Sequence, residues 1–319
     1  MHAQYLHAPI GSIKALGRAL RVGPARLRAL ANRAESLYRE VPQTKKDGSI
    51  RLTYDARPPL KAVQHRINTR LFSAVRYPAY LHGGIRVPES PRDPHSNARP
   101  HSQAYALVLE DIADCFPSIR AMDIRDMWLR LFRFPEEVAD CLTSLTTLTG
   151  FLPQGAKTST YIANLAFWDV EPPIVQRLTR MGLQYTRYID DITVSSSEDL
   201  GRDEKTYAIS QIYGMLAAKG CRPKRSKHEV RKRGQRLQVT GLVINGKSPA
   251  ISSPERRRIR AAVYELEVLA DSGAHASELR EKLGRVRGRV NRLARTGHSS
   301  AESLHKRIER VIMQRPDLV

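Results

Sequence analysis

Residues 184–196 read QYTRYIDDITVSS. β-Branched and aromatic residues flank Asp190-Asp191 on both sides, so the stretch reads as strand, tight turn, strand, with two carboxylates at the turn. An Asp-Asp turn by itself is usually a solvated hairpin. About eighty residues upstream, however, AYALVLEDI at 104–112 is an apolar run of strand length that ends on Asp111. Neighbouring strands of one sheet would bring Asp111, Asp190 and Asp191 to one point. Carboxylates gathered in this way are the geometry of a two-metal site, which holds its ions about 3.5 to 4 Å apart and clamps the attacking and leaving oxygens of an in-line phosphoryl transfer.

The charge distribution points the same way. The 319 residues carry a formal charge of +21, which predicts a polyanionic partner, most simply nucleic acid. Residues 1–104 are net +12, residues 105–200 net −6 and residues 219–319 net +15. Basic flanks attract phosphate and an acidic centre repels it, so a cation held by the central carboxylates is the economical expectation. Mg²⁺ suits oxygen ligands and bridges them to substrate phosphates. The competing reading is an acidic face that only pairs with the basic flanks.

Outward from the centre, 12–41 reads as two short helices broken at Gly23-Pro24, a faint helix-turn-helix that keeps a DNA-binding regulator open. KKDGSIRLTY reads as a hairpin turning at Asp47-Gly48, LKAVQHRINTRLFSAV as a helix, and 77–101 as a Pro/Gly-rich loop. PQGAKTSTYIANLAFWDVEPPIVQRL begins as a loop and becomes a helix, EKTYAISQIYGMLAAKG is an amphipathic helix, RLQVTGLVIN a strand pair, and the chain from Pro254 is helical and very basic. This order suggests an α+β core with a helical C-terminal unit. With 41% hydrophobic residues a packed core is expected. Cys115, Cys141 and Cys221 lie far apart, which disfavours a disulfide framework or structural zinc and fits a reducing cytosol. No eighteen consecutive apolar residues occur, so neither secretion nor a membrane partner is expected.

Three motifs in order carry a family resemblance. LEDIADCFPSI resembles the first palm motif of reverse transcriptases, PQGAKTSTYIANL their PQG motif, and YTRYIDDIT their Y-x-D-D motif. NARPH at 97–101 and VTG at 239–241 are similar to the N-A-x-x-H and V-T-G elements of bacterial retron reverse transcriptases, and favour these over group II intron, diversity-generating or viral relatives. The resemblance implies an α+β right-hand polymerase with fingers, a palm with an antiparallel sheet and a helical thumb. The implied divisions are an N-terminal helical segment at 1–44, fingers at 45–104, palm with inserted fingers elements at 105–245 and a basic helical thumb at 246–319.

It also implies roles. Asp111, Asp190 and Asp191 would be the catalytic, metal-binding triad for two Mg²⁺ ions, or Mn²⁺, with the Ile112 carbonyl as an extra ligand. Phe116 would be the gate that favours dNTP over rNTP; Gln154 and Gly155 would lie against the incoming nucleotide; Arg51 and Lys61 would grip its triphosphate; Lys227 would protonate pyrophosphate. Asn97, His101, Tyr188, Val239, Thr240, Gly241 and the thumb residues Arg285, Arg287, Arg289 and Arg292 would contact RNA or primer. The implied partners are dNTPs, a cognate structured non-coding RNA and its DNA product, and a separate effector protein, in the bacterial cytoplasm.

In such systems an RNA 2′-hydroxyl primes the copy, the product is multicopy single-stranded DNA linked to RNA, and the setting is anti-phage defence. Two departures stand out. Lys157 and Thr160 replace the prolines of the usual P-Q-G-A-P-[TS]-S-P pattern, which implies a more flexible loop and an added cation, and Ile189 stands where alanine is common. The alternatives are another bacterial reverse transcriptase, of intron or abortive-infection type, or a non-catalytic RNA-binding scaffold controlling an effector. Intact carboxylates argue against pure scaffolding.

Overall fold

The computed structural model of the chain describes residues 2–45, 47–88 and 90–318. Met1, Lys46 of the expected hairpin turn, Glu89 and Val319 lie outside the described residues. The chain divides into two compact units, Met1–Asn97 with Tyr105–Lys232, and Ala98–Ala104 with Arg233–Val319.

The larger unit is built on a sheet with the strand order Leu81–His82, Gln184–Tyr188, Asp191–Ser196, Ala106–Asp111, Glu229–Lys232. Every pairing in it is antiparallel except the first, where Leu81–His82 runs parallel to Arg187 and Tyr188. Ala106, Leu107 and Val108 are all buried, so the apolar run that announced this strand is the signature of a central strand covered on both faces. An aromatic cluster fills the neighbouring core, with Trp128 and Phe132 centroids 4.5 Å apart and Phe72 5.2 Å from Trp128.

The N-terminal helices are Ile13–Leu20 and Pro24–Asn32, and they bury Leu16, Leu20, Leu27 and Leu30. The helix expected to run on to Val41 stops at Asn32. Tyr38–Thr44 instead pairs residue for residue with Ile50–Ala56. The hairpin wins because its turn is well made: Gly48 takes φ of +81°, and the Asp47 carboxylate accepts from both the Ser49 amide, at 3.0 Å, and its hydroxyl, at 2.7 Å. The segment 77–101, read as loop, holds the edge strand Leu81–His82 and the short helix Pro94–Ala98.

The smaller unit is a bundle of Ser253–Asp271, Ala276–Arg295 and Ser300–Gln314, closed by Ile259, Val263, Leu266, Leu283, Val290, Leu304 and Ile308 at helical spacing. It also contains the hairpin of Gln238–Val239 with Leu242–Val243, whose turn residues Thr240 and Gly241 both have positive φ, as a tight two-residue hairpin requires. Residue 246, where sequence reading begins the thumb, lies within the longer stretch of this unit, Arg233–Val319.

Candidate active site

Strand register gathers the carboxylates. Asp111 and Asp191 are direct partners across the antiparallel pair, and the Ile112 amide donates to the Asp190 carbonyl at 3.0 Å. Asp111 is buried, Asp190 half-buried and Asp191 exposed. Desolvation, and then the negative charge of Asp111, raises the Asp190 pKa. The Asp191 carboxyl is pushed up to about 6, first by desolvation and then by Asp190 and Asp111.

A strap from Arg222 to Lys227 closes on the same strand end. The Ala113 amide donates to the Arg222 carbonyl at 2.9 Å, and the Lys224 amide to the Asp111 carbonyl at 2.7 Å. This delivers the Lys227 ammonium to the Asp111 carboxylate as an ion pair. Desolvation opposes the charge on Lys227, but the bond to Asp111 and the fields of Asp191 and Asp190 outweigh it and raise its pKa.

Beside this centre lies a cavity of about 290 Å³, lined by Arg51, Ile112, Phe116 and Gln154 together with Asp111, Asp190 and Lys227. Asp114, which enters the short helix Cys115–Ser118 with φ of +42°, turns Phe116 toward that space. Sequence reading passed over Lys45, Tyr54, Asp114 and Lys224, which also line it. Lys45 and Tyr54 flank the readable Asp47-Gly48 turn, and that was the one signal for them.

Other expected nucleotide contacts sit elsewhere. Gly155 is not in the lining. It packs against the neighbouring hairpin, where the Tyr54 amide donates to the Gln154 carbonyl at 2.7 Å. Lys61 also lies outside the lining, its Nζ 2.6 Å from Asp55 Oδ1, and this bond is the main reason the Asp55 pKa is lowered. The loop expected to be flexible is tied down. Asn68 Nδ2 donates to the Lys157 carbonyl at 2.6 Å, Ser159 Oγ to the Pro153 carbonyl at 2.5 Å and Thr160 Oγ1 to the Gly84 carbonyl at 2.7 Å. Thr160, at one of the two positions where the usual pattern has proline, thus ties the loop to Gly84 through its hydroxyl. Lys157 is outside the cavity lining, and its field reaches Asp55.

Of the expected RNA contacts, Tyr188 is half-buried beside Gly83. Asn97 and His101 are buried rather than displayed, and Val239 is buried too. Arg285, Arg287, Arg289 and Arg292 all lie exposed on Ala276–Arg295, with Arg285 paired to Glu281 at 3.4 Å and Arg292 donating to the Gly241 carbonyl at 3.2 Å.

Among the described residues, no three His, Cys, Asp or Glu side chains stand in a ready-made metal cluster. The donor chemistry nonetheless fits a hard divalent cation. The three side chains supply oxygen only, and desolvation, followed by their mutual repulsion, raises two of their pKa values, a cost that a bound cation would relieve. Cys115, Cys141 and Cys221 are free and buried, and no helix among the described residues is long and apolar enough to cross a membrane.

Residues 43–244 match the family described as reverse transcriptase (RNA-dependent DNA polymerase). The chain belongs to the reverse transcriptases, and it is an RNA-directed DNA polymerase with an α+β palm. Within that family it is similar to retron enzymes. It is 34% identical to the Retron Se72 reverse transcriptase of Salmonella heidelberg (strain 579083-10), over 93% of this chain and 78% of that one. With the Retron Ec48 reverse transcriptase of Escherichia coli the identity is 31%, over 96% and 77%. Among solved structures, telomerase from Candida albicans aligns with 66% of this chain and 47% of its own at 9% identity, with a TM-score of 0.39.

Proposed function

We propose that the chain is the polymerase of a retron system. It copies part of a cognate structured non-coding RNA from an RNA 2′-hydroxyl and yields multicopy DNA still linked to RNA, in anti-phage defence beside a separate effector protein. The observation that carries this reading is the meeting of Asp111, Asp190 and Asp191 with Lys227 at the rim of a cavity also lined by Arg51, Phe116 and Gln154.

In this reading the three aspartates, with the Ile112 carbonyl, would hold two Mg²⁺ ions, Mn²⁺ being an alternative. Such ions, when bound, lower the pKa of the attacking hydroxyl and neutralise charge on the phosphates. The chain's own residues do the rest. Arg51 meets the triphosphate, Gln154 bounds the nucleotide, and Phe116 crowds a ribose 2′-hydroxyl so that dNTPs are preferred. Lys227, held beside Asp111, gives a proton to the departing pyrophosphate. Lys61 and Gly155 act one step back, Lys61 through Asp55 and Gly155 by holding the Gln154 loop to the hairpin. Residues 45–104 act as fingers and 105–245 as palm, while Arg285, Arg287, Arg289 and Arg292 of the thumb hold nucleic acid by its backbone.

The test is synthesis by the purified chain on the RNA that copurifies with it. The wild type should make DNA joined to RNA, and Asp190→Ala should lose more than about 100-fold of that synthesis while retaining the RNA. No product from the wild type, or undiminished product from the variant, would sink the reading.

A further inference from the structure

Arg187 lies in the strand that leads into the Asp190-Asp191 turn, and its side chain is wholly buried, as is that of Glu171 beside it. All five guanidinium N–H donors are used. Nε and Nη2 grip the two Glu171 oxygens at 2.7 and 2.8 Å; Nη1 donates to the carbonyls of Ala163, at 3.2 Å, and Ile189, at 2.9 Å; Nη2 also donates to the Asn164 carbonyl at 3.0 Å. The Tyr185 hydroxyl fixes Glu171 from the side at 2.7 Å, and the guanidinium lies 5.1 Å from the Phe167 ring centroid.

Stability alone does not account for this arrangement, because desolvating two charges offsets most of their attraction, and an apolar pair of similar volume is often as stable. The bond to Ile189 leads elsewhere. Ile189 has φ of +58°, a left-handed conformation that β-branched residues avoid. Two hydrogen bonds bracket it: its amide donates to the His82 carbonyl at 3.1 Å, and its carbonyl accepts from Arg187. Gly83 presses from the other side, where a Cβ would fall 2.8 Å from the Tyr188 ring and 2.9 Å from the Ile189 side chain. Asn164 joins the two supports, since its carbonyl accepts from Arg187 and its Nδ2 donates to the Gly83 carbonyl at 2.8 Å. Asp190 is the next residue along the chain.

We infer that Arg187 is a positioning residue for nucleotidyl transfer: through the Ile189 carbonyl it holds the strained turn that aims Asp190. The inference rests on the proposed role of Asp190. Lysine in its place keeps the charge but offers three donors from one point, and cannot serve Glu171, two helix carbonyls and Ile189 together.

The experiment uses the full chain with poly(rA) primed by oligo(dT), dTTP and Mg²⁺. Extension by the wild type is measured first and tests the underlying reading; a wild type that made no DNA would remove the basis of both. Given extension, Arg187→Lys should lower kcat by about 100-fold and leave KM for dTTP within about twofold. Ile189→Gly, added to Arg187→Lys, should recover at least about tenfold, because glycine takes the left-handed conformation without a clamp. If Arg187→Lys does not fold by circular dichroism, Glu171→Gln carries the same comparison with the same second substitution. An unchanged kcat, a loss borne by KM, or a loss that Ile189→Gly does not recover would overturn the inference, since a purely structural role gives no reason for rescue at Ile189.

Discussion

Gly155 holds φ at +107°, and a Cβ there would come within 2.9 Å of the Tyr54 carbonyl oxygen. Two backbones meet at that point, and Gln154 reaches the cavity because they do. Gly155→Ala should therefore cost about 1–3 kcal/mol, lower the thermal midpoint in calorimetry, and raise KM for dNTP more than it lowers kcat. An unchanged midpoint would mean that the hairpin yields without cost. At this scale sequence was an uneven guide. Asp111, Asp190 and Asp191 were legible because carboxylates at the ends of apolar strands conflict with their surroundings. Arg187 looked like any polar residue of an alternating strand, because its partner Glu171 comes from a helix start sixteen residues earlier and no spacing rule links them. Lys61 was assigned to the triphosphate by resemblance alone, and a carboxylate six residues away in sequence holds it outside the cavity lining.

The two-residue strand Leu81–His82 shows what escapes sequence at the scale of elements. It is too short for any periodicity to register, so a Pro/Gly-rich loop was the natural reading, yet it forms the sheet edge against which Arg187 and Tyr188 lie. The longer hairpin Tyr38–Ala56 was legible at its turn and illegible at its first strand, where helix-like spacing continued past Asn32. The edge strand also carries a pH dependence. Burial, and then the neighbouring Arg92, push the His82 pKa down to about 4; its Nδ1 lies 3.2 Å from the Ser96 hydroxyl. The fold therefore favours the neutral ring. Its contribution is complete above the unfolded value of about 6.5 and is lost as pH falls from there toward 4, because the unfolded chain then binds the extra proton. The thermal midpoint should fall across that window, and His82→Gln should flatten the fall whatever it does to the midpoint at pH 8. Equal slopes for the two proteins would place the acid sensitivity elsewhere.

Across the whole molecule the charge of +21 separates into work and grip. The acidic minority supplies the carboxylates, while the basic helix Ala276–Arg295 displays Arg287 and Arg289 on an exposed face and buries Leu283, Val286 and Val290 on the other. Replacing Arg287 and Arg289 by glutamine should weaken binding of a poly(rA)·oligo(dT) hybrid and reduce the slope of log K against log salt by about one for each phosphate that is no longer neutralised. The melting temperature should stay the same. A slope equal to that of the wild type would show that these arginines touch no phosphate. The division into acidic centre and basic flanks was legible from composition alone, because net charge survives any uncertainty about where elements begin. Where the second unit starts was not, because Arg233 and the segment 98–104 join it through tertiary packing that no local pattern announces. The pairing of Lys227 with Asp111 has a further meaning at this scale. The chain brings its own counter-ion to Asp111, so on the proposed metal role withdrawing divalent ions should stop synthesis without unfolding the protein. Storage in a chelator followed by return to Mg²⁺ should then restore synthesis with no change in the thermal midpoint, and a loss that Mg²⁺ does not reverse would count against the pairing's role.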